Sequence, residues 1–192
     1  DKAIEAFIER RKGDPGTVDR HSALGRLFRR RGETERAIRM HKNLLERSDL
    51  AAEQRRQALF ELGQDYLKAG LLARAEEAFA KLRDGPQRLD ALKHLLEIYQ
   101  QEKEWEKAIE VTRSLEKETG QSWQKEVAEF RCEMAAVEAT HSRPDSARAQ
   151  LEEALSQQRE DRSEPLGEGQ VRGGLCRRAG LPTALARKMG YP

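Results

Sequence analysis

The chain has few of the residues that build metal sites, disulfides or thick cores. Its 192 residues include two cysteines, and aromatic residues make up 5% of the chain. Cys132 and Cys176 lie far apart, with no CxxC pair and no neighbouring histidine, which argues against a zinc site and a disulfide framework. Thin layers of paired helices suit such a composition better than a globular core. The cysteine usage favours a reducing, cytoplasmic setting.

Long apolar runs are also missing. No stretch approaches the roughly 20 apolar residues that cross a bilayer. No signal peptide opens the chain, which begins at Asp1 without a methionine. We therefore expect a fragment, or a chain that lacks its start, with no membrane anchor.

Neither sign of charge dominates. The 36 basic and 34 acidic residues are interleaved and leave a net charge of +2. This pattern implies no strong field for nucleic acid or anionic lipid. The 37% of hydrophobic residues are too many, and too regularly spaced, for a disordered chain. Most of the chain should fold.

Motifs of catalytic sites are absent as well. The four histidines show no HxxxH or HExxH spacing. There is no GxxxxGK[ST], GxGxxG or GxSxG segment, which removes the usual phosphate, dinucleotide and serine-hydrolase sites. Carboxylates are abundant, but no acid/base pair can be picked out from them. We expect no enzyme activity, no metal and no cofactor.

A repeated pattern organises most of the sequence. It consists of a small residue, an aromatic residue three positions later and an alanine twelve positions later. The copies are Gly25/Phe28/Ala37, Gly63/Tyr66/Ala75, Leu96/Tyr99/Ala108 and Ala135/Glu138/Ala147, the third with a leucine in place of the small residue and the last without its aromatic. Counting from Ala3, the alanines are separated by 34, 38, 33 and 39 residues. This period is close to the 34 residues of tetratricopeptide (TPR) repeats.

A second stripe follows each of these alanines at helical spacing. Its members lie four and seven residues later: His41/Leu44, Phe79/Leu82, Thr112/Leu115 and Leu151/Ala154. His41 is therefore interpreted as a core histidine. Small residues that face an alanine should let the two helices of a pair approach closely.

The repeats predict an all-α TPR α-solenoid, a right-handed superhelix of antiparallel helix pairs with an irregular C-terminal tail. The array should span residues 1–156, with repeats at 18–51, 56–89, 89–122 and 128–156. Residues 1–15 are predicted as the second helix of a truncated repeat. One pair cannot bury its apolar stripe alone, so stability should come from stacking.

The predicted tail, residues 157–192, is rich in glycine, proline and arginine, and it has no acidic residue after Glu168. Disorder explains this composition better than nucleic-acid binding does. The abrupt change also suggests out-of-frame translation of a GC-rich gene, a hypothesis that the genomic DNA would settle.

The first helices of the pairs should line the concave groove that binds partner proteins. The predicted groove residues are Asp19, Ser22, Arg26, Arg29, Gln57, Phe60, Gln64, Lys68, Lys93, Glu97 and Gln101. Arg26, Arg29 and Arg30 share a helix face, which forms either a solvated helix end or an anchor for a partner's acidic segment. Phe60 is either an apolar anchor or a packing residue between repeats.

Three segments go beyond the repeat pattern. They are GTVDRHSALGRLFRRRGETERAIRMHKNLLERS (16–48), QALFELGQDYLKAGLLARAEEAF (57–79) and LLEIYQQEKEWEKAIEV (95–111). Over roughly residues 1–157 the chain resembles the TPR portion of the lipopolysaccharide assembly protein B family. The match departs from that family in its tail, in the missing anchor and in the missing CxxC pair of a rubredoxin-like metal module.

The resemblance implies an adaptor at the cytoplasmic face of a Gram-negative inner membrane. Such an adaptor promotes degradation of the lipid A-committing deacetylase by a membrane-bound AAA+ protease, and both enzymes, with other lipopolysaccharide assembly proteins, are the implied partners. Alternatives are a TPR scaffold of another envelope or secretion complex and the appendage of a transferase whose catalytic domain lies elsewhere. An array without polar capping helices should also self-associate.

Overall fold

A computed structural model describes residues 16–141 and 143–160 of the chain. This part contains eight α-helices and no strand. The truncated repeat predicted at residues 1–15 and the tail from residue 161 onward, which includes Cys176, lie outside the described residues. The prediction of an all-α TPR fold is confirmed.

The helices follow one another along the chain, joined by short turns and loops. They are α1 Gly16–Arg30, α2 Thr34–Leu45, α3 Ala52–Lys68, α4 Leu72–Ala80, α5 Arg88–Glu102, α6 Trp105–Thr119, α7 Gln124–Thr140 and α8 Pro144–Glu160. The last helix continues past residue 156, at which the array was expected to end.

The chain forms two compact units, one up to Ile98 and one from Tyr99, so the boundary falls within α5. In the first unit α1 packs against α2, α3 packs against α4, and α3 also contacts both helices of the preceding pair. In the second unit α7 packs against α6 and α8.

One backbone hydrogen bond closes each of three turns between consecutive helices. In each case an N–H at the start of the second helix donates to the carbonyl of the repeat's aromatic residue: Glu33 to Phe28 (2.9 Å), Leu71 to Tyr66 (2.9 Å) and Glu104 to Tyr99 (2.8 Å). The turn needs one residue with positive φ, which is typical of helix C-termini. Gly32 (φ 80°) and Gly70 (φ 72°) supply it in two pairs, whereas the third uses Lys103 (φ 60°).

Rings on the second helix fill the space beside two of the small residues, Gly25 and Gly63. A Cβ placed on Gly25 would lie 2.4 Å from Cε1 of His41, and one on Gly63 would lie 2.8 Å from Cε1 of Phe79. Each ring stands on the second helix and fills the gap between the paired helices. A ring needs more volume than an alanine methyl group, so the facing position must be glycine.

The predicted core stripe is buried. His41, Phe79 and Thr112 are each 0% exposed, which confirms His41 as a core histidine. The Thr112 hydroxyl donates to the Ala108 carbonyl (2.7 Å), so this polar residue is satisfied within its own helix.

The fourth repeat forms a helix pair even though it lacks an aromatic residue. Ala135 on α7 and Ala147 on α8 are fully buried, and Leu151 is 1% exposed. Small and aliphatic residues are therefore enough to close this pair.

Candidate partner-binding surface

On α1 the predicted groove residues differ in accessibility. Asp19 and Arg26 are exposed and Ser22 is half-buried. The side chain of Arg29 is only 18% exposed. Three of these four residues can therefore reach a partner, whereas Arg29 has another role.

Arg29 reaches across to α3. Its Nη1 donates to Asp65 Oδ1 (2.8 Å), its Nη2 donates to Glu61 Oε2 (2.7 Å), and Nη1 also donates to the Glu61 carbonyl (3.1 Å). Both carboxylates are almost fully buried. The Arg29 guanidinium thus holds two helices of the chain together, and its role as a partner anchor stays a prediction.

The contact continues into the core through His41. Nδ1 of His41 lies 2.5 Å from Oδ2 of Asp65, and both side chains are 0% exposed. We name Arg29, His41, Glu61 and Asp65 the Arg29 cluster. It joins α1, α2 and α3, so it fixes the second helix pair against the first.

Burial and hydrogen bonding shift the pKa of Arg29 in opposite directions. Burial disfavours the guanidinium charge, but the hydrogen bonds that Arg29 donates to Glu61 and Asp65 outweigh it and raise the pKa of Arg29 above its ordinary value. The arginine therefore keeps its charge. Because charges of this kind are stabilising only when each is paired, loss of a single member should be costly.

Two positions of the Arg29 cluster are apolar at the next junction of the first unit. The counterparts of His41 and Asp65 one repeat later are Phe79 and Ile98, and both are 0% exposed.

Glu61 and Asp65 were not among the predicted site residues. A signal for Asp65 exists in the sequence: it is polar at a repeat position that is otherwise apolar, with Leu27, Ile98 and Val137 in the other repeats.

Phe60 belongs to an aromatic cluster. Its ring centroid lies 5.6 Å from that of Phe79 and 5.6 Å from that of His94, and Phe79 and His94 stack at 4.8 Å. Gln64 Nε2 lies 3.3 Å from Nε2 of the same histidine. Phe60 is half-buried, so part of its ring packs between helices while the rest faces solvent.

The remaining predicted groove residues are exposed and mixed in charge. They are Gln57, Lys68, Lys93, Glu97 and Gln101, the last of which belongs to the second unit. Gln57 donates to Glu61 (3.2 Å), Lys93 pairs with Asp90 (3.5 Å), and Glu97 lies 3.4 Å from His94. On α3 and α5 these positions therefore present amides and charges of both signs.

A shallow cavity of about 490 Å³ lies beside α1, lined by Ala23, Arg26, Leu27, Arg29 and Arg30.

Within residues 16–141 and 143–160, no three His, Cys, Asp or Glu side chains are grouped so that they could hold a metal ion. The same ranges contain no helix that is both long and apolar enough to span a bilayer.

Comparison with known proteins gives a family model and close relatives. Residues 21–56 match the model described as tetratricopeptide repeat. The chain is 48% identical, over 136 residues, to "Lipopolysaccharide assembly protein B" of Escherichia coli (strain K12). The predicted resemblance to lipopolysaccharide assembly protein B is confirmed. Its Haemophilus influenzae counterpart is 34% identical over 168 residues.

The chain spans about a third of lipopolysaccharide assembly protein B. The aligned regions cover 70% of this chain and 35% of the Escherichia coli relative, and 81% of this chain and 41% of the Haemophilus influenzae relative. Among solved structures, TPR-like repeats from Podosopora anserina are 20% identical with a TM-score of 0.47, covering 92% of this chain and 93% of that one.

Proposed function

We propose that this chain is a non-enzymatic protein-binding scaffold of lipopolysaccharide assembly. The observation that carries the proposal is the 48% identity, over 136 residues, to a protein named for that process. The TPR fold supports it, because stacked helix pairs present long surfaces that bind other proteins.

The proposed role is that of an adaptor at the cytoplasmic side of the inner membrane. It brings the deacetylase that commits precursor to lipid A to a membrane-bound AAA+ protease, and the deacetylase is then degraded. No chemical step falls to this chain, whose contribution is to hold two proteins near each other.

The exposed residues of α3 and α5 suit this task. Lys93 and Glu97 are accessible and opposite in charge, and the half-buried Phe60 lies in the same predicted groove. An aromatic edge among polar groups is typical of a protein-binding hot spot with a polar rim. Charges of both signs favour a particular partner orientation rather than attraction to any charged surface.

The test uses the full chain with the purified protease and the purified deacetylase. Binding to each is measured by interferometry for the wild type and for Lys93→Glu with Glu97→Lys, a swap that keeps the net charge. We expect the swap to weaken binding about tenfold. The matched control is Glu77→Lys with Lys81→Glu, two exposed positions on the other helix layer with the same spacing.

Each outcome is informative. Binding that is lost in the swap and kept in the control supports both the role and the surface. Failure of the folded wild-type chain to bind either enzyme contradicts the adaptor role and favours a TPR scaffold of another envelope or secretion complex.

A further inference from the structure

A basic stripe runs along α1. We define it as Ala23, Arg26, Leu27 and Arg30, which share one helix face at spacings of three and four. Leu27 is 53% exposed, more than Leu71, Leu89 or Val137. Arg30 is exposed, and the Arg26 side chain is 51% exposed although it lies 3.6 Å from Glu61. An accessible leucine thus lies between two cations.

In the later repeats of the first unit, the preceding helix pair packs against the corresponding positions. The counterparts of Ala23 and Leu27 are Glu61 and Asp65 on α3, then His94 and Ile98 on α5. Those on α3 bind Arg29 of α1, and His94 contacts Phe60 of α3. The position of the basic stripe is therefore one against which helices pack.

An acidic stripe lies on α7. It consists of Glu126, Glu133 and Val137, which share one face because they are spaced by seven and four residues. Glu133 is exposed and Val137 is 44% exposed. Val137 occupies the repeat position of Leu27, and its stripe carries carboxylates whereas the stripe of Leu27 carries arginines. The two stripes therefore carry an apolar residue each and opposite charges.

We propose that copies of this chain associate head to tail, with the basic stripe of one copy against the acidic stripe of the next. Leu27 packs on Val137, and Arg30 pairs with Glu133. The contact joins two different surfaces, so each added copy leaves one stripe of each kind available, and assemblies lengthen with concentration. This inference is independent of the partner proteins proposed above.

The association should be weak and sensitive to salt. One helix face against another covers less surface than a stable dimer needs. Exposed ion pairs are screened by salt, so added salt should shift the assemblies toward monomers. A monomer–oligomer equilibrium at high protein concentration is the expected behaviour.

Sedimentation velocity of the full chain over a wide concentration range tests the proposal. The basic-stripe variant is Leu27→Glu with Arg30→Glu, and the acidic-stripe variant is Glu133→Lys with Val137→Lys. Each should weaken association about tenfold or more. The chain with all four substitutions should associate again, because both stripes are then reversed. The control is Lys42→Glu with Asn43→Asp, which changes the charge equally at exposed positions of α2.

Circular dichroism and unfolding midpoints establish that every variant folds. A wild-type chain that stays monomeric at all concentrations overturns the proposal, and so does association that the two stripe variants leave unchanged. The Lys93/Glu97 swap lies outside both stripes, so a failure of the proposed adaptor role can be distinguished from a failure of the proposed self-association.

Discussion

His41 and Asp65 form a hydrogen-bonded pair in the interior, with Nδ1 and Oδ2 2.5 Å apart and both side chains 0% exposed. The two residues come from different helix pairs. The second oxygen of Asp65 accepts from Arg29 (2.8 Å), so one carboxylate serves both helices of the preceding pair. The angle between the first and second pairs is thus held by polar contacts.

Asp65→Ile should destabilise the chain by about 3–5 kcal/mol, because it removes a carboxylate that pairs with two buried groups. The double variant His41→Phe with Asp65→Ile should recover most of this loss, since it copies Phe79 and Ile98 of the next junction. Urea unfolding followed by circular dichroism measures both. A double variant no more stable than Asp65→Ile would contradict the idea that an apolar pair like Phe79 and Ile98 can replace His41 and Asp65.

Arg29→Met should cost about 3–5 kcal/mol, because Glu61 and Asp65 would remain buried without their shared cation. Arg30→Met is the matched control, since Arg30 is exposed on the same helix. It should change the free energy of unfolding by less than about 0.5 kcal/mol. Equal effects of the two substitutions would mean that the Arg29 cluster adds nothing to stability.

Gly25→Ala should destabilise by about 1–3 kcal/mol, since the new methyl group would overlap the buried His41 ring. The penalty should shrink when the same change is made in a His41→Ala background, which leaves space for the methyl. A double-mutant cycle from urea unfolding gives this coupling. If the two substitutions show no coupling, the loss of stability in Gly25→Ala does not come from overlap with the His41 ring.

Lys103→Gly should stabilise the chain by about 0.5–1 kcal/mol. Lys103 has φ 60°, a conformation that costs a residue with a Cβ more than it costs glycine, although glycine also gains freedom in the unfolded chain. Lys103→Ala is the control, because it keeps the Cβ and removes only the charge. A thermal melt that ranks the two variants equally would rule out backbone strain as the cause.

Glu53 provides a test by pH. The hydrogen bond from Arg56 and then that from Gln87 lower the pKa of the Glu53 carboxyl below its ordinary value. Since the pKa is lower in the folded chain, the stabilisation exists above the unfolded pKa and is lost as pH falls through the folded one. Carbon-13 NMR titration should show that Arg56→Leu and Gln87→Leu each raise the pKa. Arg55→Leu should leave it unchanged, because Arg55 donates to carbonyls of Leu45 and Arg47.

Residue spacing was enough to predict the repeats and their core. The alanine anchors and the residues four positions later are determined by helical geometry inside one pair, so Ala37 and His41 could be placed from sequence. Contacts between pairs depend on how the pairs stack, and a period alone does not contain that information. Arg29 therefore looked like a surface cation, and its carboxylate partners 32 and 36 residues away were missed.

The predicted groove residues stay predictions. Their exposure is now known for α1, α3 and α5, but a binding role depends on a partner's shape and charge. Phe60 illustrates the difficulty, since the repeat pattern cannot distinguish a packing ring from an anchor. The structure shows that part of this ring contacts Phe79 and His94 while the rest is accessible.

The Arg29 cluster also restricts how such an array can change by duplication. Suppose that a second copy of α3 and α4 were inserted after the first. Glu61 and Asp65 of the inserted copy would then lie next to Phe79 and Leu67 of the original copy, which provide neither a cation nor an imidazole. Two buried carboxylates would then lack partners, and the tandem product would fold poorly. The buried charges of the second helix pair therefore limit which helix pair can precede it, so duplications of this kind would be selected against.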